Sequence, residues 1–162
     1  MDIIDAYRTQ FRYHFDLTQR LLTLAADIPA TVQLPESGYG HQNLQETLFH
    51  LLRVSHVWRH ILLDVPFAAP QPAQYADLKA LQVGFAAEQN AWDEYLAGLS
   101  VDFVGSEVVR RHPRTGQPQP FTVWKVLQHL ILHGMQHHSE IAQMLSAAGR
   151  SPGNIDFIFY QA

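Results

Sequence analysis

With 162 residues, 47% of them apolar and only 16% charged, the chain has the length of one domain and enough apolar content for a sizeable core, which excludes an intrinsically disordered protein. A formal net charge of −4, with Lys79 and Lys125 the only lysines and the arginines scattered, excludes the basic footprint of a nucleic-acid binder. The lack of cysteine excludes disulfides, thiolate metal sites and a cysteine nucleophile, and no apolar run approaches the roughly 18 residues of a membrane span.

The start, Met1-Asp2-Ile3-Ile4-Asp5, is acidic and has no basic n-region, so the expected location is cytoplasmic. Residues 2–26 predict one long helix, because Ile4, Tyr7, Phe11, Phe15, Leu22 and Ala25 recur at helical intervals with Leu17 and Leu21 beside them. Ile28-Pro29 closes it, and 30–42, with Pro35, Gly38 and Gly40, reads as a loop. A second helix opens at Asn43, a good N-cap with Glu46 at the capping-box position, and carries Leu44, Leu48, Leu51, Val54, Trp58, Ile61 and Leu62 inward. It stops before Pro66, and the proline-rich segment 66–73 is a connector. A third helix over about 74–98 buries Tyr75, Leu78, Leu81, Phe85, Trp92, Tyr95, Leu96 and Leu99, with Gly98 near its end.

Segment 101–121 has a different character. Val108 to His112 favours β structure, Pro113-Arg114-Thr115-Gly116 has turn chemistry, and Gln117 to Phe121, with Pro118 and Pro120, can form only an edge strand. A small hairpin or an irregular crossover is expected. The fourth helix runs from Thr122 to Ala148 with Gly149 as its C′ residue, and its core positions are Trp124, Leu127, Ile131, Gly134, His138, Ile141, Leu145 and Ala148. The tail 150–162 ends in Ile155, Phe157, Ile158, Phe159 and Tyr160, enough apolar surface to pack on the body. The predicted fold is all-α: a single domain over 1–162, a four-helix bundle with a small hairpin or irregular crossover before the last helix.

Ten histidines are unusual for this length, and most fall in two groups: His50, His56 and His60, then His129, His133, His137 and His138. Helical residues four apart share a face, with Cβ atoms about 5–6 Å apart, so two imidazoles can reach one ion. His129/His133, His133/His137 and His56/His60 all have that spacing. At about 100° per residue, with the core stripe centred on Gly134, His137 lies about 60° and His133 about 100° to the same side, and His129 about 140° away, near the outer face. His50 lies beside Val54 and Ile61 at the edge of the inward stripe, whereas His56 and His60 fall on the polar side near Arg53. His14, His41 and His112 read as surface residues. Singly, an inward helical histidine is more often a core residue than a ligand. One from the second helix and an i, i+4 pair from the fourth make a facial three-nitrogen site for Zn²⁺, Ni²⁺, Fe²⁺ or Cu²⁺.

The run Leu132-His133-Gly134-Met135-Gln136-His137-His138-Ser139-Glu140-Ile141, together with Phe49-His50-Leu51 and the tail Ser151-Pro152-Gly153-Asn154-Ile155-Asp156-Phe157, resembles the DinB/YfiT-like superfamily of candidate metalloenzymes over nearly the whole chain. The resemblance implies a four-helix bundle, His50, His133 and His137 as ligands of one divalent transition metal (zinc or nickel before iron), and a homodimer. His138 stands where the family usually has Arg, and Glu140 where it often has Gln. Some members are thiol-dependent S-transferases and isomerases, which points to a small-molecule substrate and a low-molecular-weight thiol. The alternatives are a metal-dependent hydrolase on the same site and a non-catalytic, stress-related metal-binding protein. No catalytic residue is assigned. Glu46 is a candidate to orient His50, besides its capping role; Trp58 and Trp124 to wall a pocket, besides a core role; and Arg53 or Arg59 to bind a carboxylate of the thiol.

Overall fold

The computed structural model describes residues 2–28, 43–112 and 114–161. The expected loop 30–42, with His41, Pro29 before it and Pro113 of the turn, lies outside the described residues. Long helices are α1 (Ile3–Ala26), α2 (Leu44–Leu63), α3 (Leu78–Ala97) and α5 (Val123–Ala147), with the short α4 (Val101–Val104) before a hairpin of β1 (Glu107–Arg111) and β2 (Pro118–Thr122).

Helices α1 to α4 each start where a side chain satisfies a free N–H group, whereas Thr122 before α5 makes no such bond. Asp2 and Asp5 form a reciprocal capping box on α1, and Asn43 accepts from the Glu46 N–H on α2. The third helix begins later than its apolar spacing suggests, because Asp77 caps it by accepting from the Ala80 N–H, and Pro72–Tyr75 form a separate 3₁₀ turn. Gly149, with φ of 74°, follows α5 in the left-handed conformation expected of a C′ residue. α4 was not foreseen from the sequence; Ser100 caps it through the Phe103 N–H.

The long helices form a ring in which α1 packs on α3 and α5, and α2 packs on the same two. Residue pairs fix their directions. Tyr7 meets Trp124, His14 meets Gly134 and Thr18 meets His138, so α1 and α5 run parallel. Phe11 meets Trp92 and Gln19 meets Gln82, so α1 and α3 are antiparallel. Leu52 lies on Gly84 and Ser55 accepts from the Trp92 indole, so α2 and α3 are parallel. His50 meets His133 while Trp58 meets His129, so α2 and α5 are antiparallel. A parallel α2/α3 pair obliges the connector 64–77 to run back along the bundle, about 30 Å for helices of this length.

The core lies inside this ring, where Leu21, Leu22, Leu48, Leu81, Phe85, Trp92, Leu127, Ile141 and Leu145 are fully buried. The hairpin is antiparallel, with Val109 opposite Pro120 and Arg111 opposite Pro118. A two-stranded ribbon leaves one edge of β2 free, which is why it tolerates prolines. Two side chains depart from expectation. Trp124, placed in the core stripe from sequence, is 44% exposed in the first turn of α5, where Tyr7 reaches only its backbone carbonyl. His14, read as a surface residue, is 7% exposed. The tail packs through Ile155 and Tyr160, against Tyr13, while Ile158 and Phe159 stay outward. Among the described residues, no helix is long and apolar enough to cross a membrane.

Candidate metal centre

α2 and α5 run antiparallel in contact, so the N-terminal half of α2 faces the middle of α5. There His50 projects across to His133 and His137, which lie one turn apart on α5. The three Nε2 atoms point at one another: His50 to His133 at 3.1 Å and His137 to His133 at 3.2 Å. The rings are inclined rather than stacked, as groups aimed at a common point must be. His137 is buried, and His50 and His133 are half-buried. Among the described residues, this is the one group of three or more His, Asp or Glu with ligand atoms close enough to share an ion.

Glu140 is buried and lies one turn beyond His137, whose Nδ1–H donates to its Oε2 at 2.8 Å. That bond fixes the tautomer and leaves the Nε2 lone pair facing the cluster. Glu46, a candidate to orient His50 besides its capping role, makes no side-chain hydrogen bond to it among the described residues; its backbone N–H donates to the Asn43 side chain, and the residue lines a cavity.

Behind the cluster lies a second imidazole layer. Thr18 Oγ1 donates to the His14 carbonyl at 2.8 Å, so its lone pair accepts from His138 Nε2–H, also at 2.8 Å. His138 Nδ1 and His14 Nδ1 are buried without a partner, their rings 4.8 Å apart. Burial, and then the charge at His133, pushes the His14 pKa down to about 4, and burial holds His138 well below the usual imidazole range. Both rings are therefore neutral at neutral pH.

The other histidines have different roles. His129 is exposed, with its ring against Trp58 and His133 but outside the convergent group. His56 faces Glu88 at 3.4 Å, and His60 Nδ1–H donates to the His56 carbonyl. Glu88, buried on α3, was missed by the sequence reading; it takes Arg59 in a two-pronged pair at 2.8 and 2.9 Å. Its signal was an acid at an inward position of the 81-85-88-92 stripe. Arg59 is thereby occupied, and Arg53 stays exposed beside His50.

Two cavities of about 550 Å³ each meet at His50 and Arg53. One runs along α2 past Trp58 toward the hairpin; the other opens toward the start of α2, between Glu46 and Tyr75. Trp58 thus walls a cavity as well as packing in the core, whereas Trp124 lines neither cavity.

A bundle that brings three imidazole nitrogens from two facing helices to one point, with open space beside them, belongs to the class of helical bundles with a centre able to hold a metal ion. The chain matches the DinB family over residues 5–162 and belongs to that family. No curated protein matches the chain in sequence.

Proposed function

We propose that the protein is a metal-dependent enzyme that transfers a low-molecular-weight thiol to a small electrophile, with His50, His133 and His137 holding one divalent transition ion, zinc or nickel before iron. The observation that carries the reading is the convergence of the three Nε2 atoms at 3.1 and 3.2 Å. Two nitrogens each about 2.0–2.1 Å from one ion, at tetrahedral or octahedral angles, lie roughly 2.8–3.4 Å apart, so the donors fit. Three protein ligands leave coordination open, as catalytic sites do. When bound, the ion supplies Lewis-acid chemistry that favours the anionic form of a sulfur nucleophile.

The chain's own residues do the rest. Glu140 holds the His137 ring, Trp58 gives the cavity beside His50 an apolar wall, and Arg53 stands at its rim to meet an anionic group. The paired cavities favour transfer over hydrolysis, because transfer seats two organic co-substrates and hydrolysis one. The carbon–sulfur bond forms as the leaving group departs with the electrons of its own bond, and the thiol proton passes to solvent. In the same reading the chain works as a homodimer, supported by exposed apolar groups such as Leu132 and Trp124 on α5 and checked by sedimentation velocity.

Elemental analysis of the purified protein tests the site. Wild type should carry about one ion per chain, and His133→Ala with His137→Ala should lose it while keeping the helical circular-dichroism spectrum. Metal content unchanged by the double substitution removes the site. Thiol-dependent consumption of a halogenated nitrobenzene tests the reaction; ester or amide cleavage without thiol would replace transfer by hydrolysis, and turnover of neither would leave a non-catalytic metal-binding protein.

A further inference from the structure

The cavity that runs from His50 to the hairpin has a composition its neighbour lacks. Its wall is apolar, including Val57, Trp58 and Phe67, and Arg53, Arg110 and Arg111 also line it. The Arg110 guanidinium lies 5.3 Å from the Trp58 ring centroid, and the edge-on Phe121 ring, at 5.3 Å, braces the indole. A guanidinium placed on an aromatic face keeps N–H donors free for a planar anion. Among the described residues no carboxylate pairs with Arg53, Arg110 or Arg111; the arginine ion pairs are Arg8 with Asp5 and Arg59 with Glu88. Arg111 spends one nitrogen on the Gly116 carbonyl. The neighbouring cavity shares His50 and Arg53 but has neither hairpin arginine, and its other lining includes Asn43, Gln45, Glu46, Phe49 and Tyr75.

We infer that the hairpin-side cavity binds a small aromatic carboxylate, its ring between Trp58 and Phe67 and its carboxylate on Arg110 and Arg53. The size fits, since cavities of 300–1,000 Å³ take small organic ligands. The charge fits, since a guanidinium fork pairs a carboxylate through two parallel hydrogen bonds. The ligand's role as the electrophilic co-substrate rests on the transfer reading above; its binding does not. The two cavities then divide the co-substrates, with the aromatic acid on the hairpin side and the thiol on the Glu46 side.

Calorimetric titration of the full chain with 2-naphthoate and its neutral isostere 2-naphthamide tests the inference, on protein as purified and after chelation. Naphthoate should bind both forms with similar affinity, and naphthamide about tenfold more weakly or worse. Arg110→Gln, on the hairpin surface, should abolish that preference with the circular-dichroism spectrum unchanged, and Arg110→Lys should restore part of it. The pair His133→Ala and His137→Ala should leave naphthoate binding intact, so failure of the metal site and failure of this cavity are read separately. Absence of naphthoate binding, equal binding of acid and amide, indifference to Arg110→Gln, or binding that disappears on chelation would each overturn the inference.

Discussion

Glu46 and Glu140 each lie within about one helical turn of a cluster histidine, yet only Glu140 touches one. A carboxylate on Nδ1–H raises the basicity of Nε2 and locks the ring, and removing such a partner typically costs 10–100-fold in metal affinity. Glu140→Ala should therefore weaken metal binding by about that factor in competition titrations against a chromophoric chelator. Glu140→Gln, which keeps an acceptor oxygen, should lose much less. Equal losses, or none, would mean that the bond does not organise the site. The convergent histidines were legible because spacing and face direction both survive in the sequence; the partner of His137 was not, since Glu46 and Glu140 stand equally well placed until side-chain directions are known. His14 was misread for a different reason. Positions 7, 11, 14, 18, 21 and 25 follow an unbroken 3-4 spacing, but a stripe drawn from apolar residues alone passes over the His14 and Thr18 that sit in it.

Helices α1 and α5 are in tight contact where His14 lies on Gly134. A Cβ built on Gly134 would clash with His14 Nδ1, so the glycine makes room for the imidazole layer behind the histidine cluster. Gly134→Ala should destabilise the protein by about 1–3 kcal/mol, read as a lower urea midpoint, despite alanine's better helix propensity. Combined with His14→Ala, which frees that space, the loss should be smaller than the sum of the single losses. Strict additivity would place the strain elsewhere. At this scale the sequence was informative wherever periodicity and end signals agreed, as in α1, α2 and the Gly149 end of α5, and for the hairpin, whose prolines and turn residues restrict the backbone directly. It was less so for α3, where Tyr75 continues the apolar spacing into a turn that Asp77 separates from the helix. The parallel packing of α2 on α3 has no local signature, because direction depends on where a long connector returns.

The whole molecule carries neutral imidazoles in its interior, and acid should expose this as lost stability. The His14 pKa, about 6.5 in the unfolded chain, is depressed to about 4 by burial and the nearby His133. Above pH 6.5 the ring is neutral in both states and the contribution is fully present. As pH falls from 6.5 toward 4 the unfolded chain takes up a proton that the folded chain refuses, so the unfolded state gains free energy of stabilisation; below 4 both bind it and the loss levels off. The total is about 3 kcal/mol for this one ring, and His138, depressed in the same direction, adds to it. Urea midpoints of chelated protein should therefore drop between pH 7 and pH 4.5, with His14→Gln showing a clearly shallower drop. Identical pH profiles for wild type and His14→Gln would show that the imidazole is not held neutral by the fold. Because chelation removes any ion beforehand, protonation of the cluster cannot mimic the effect through metal release, and the profile reports the packing of α1 on α5 across the whole bundle.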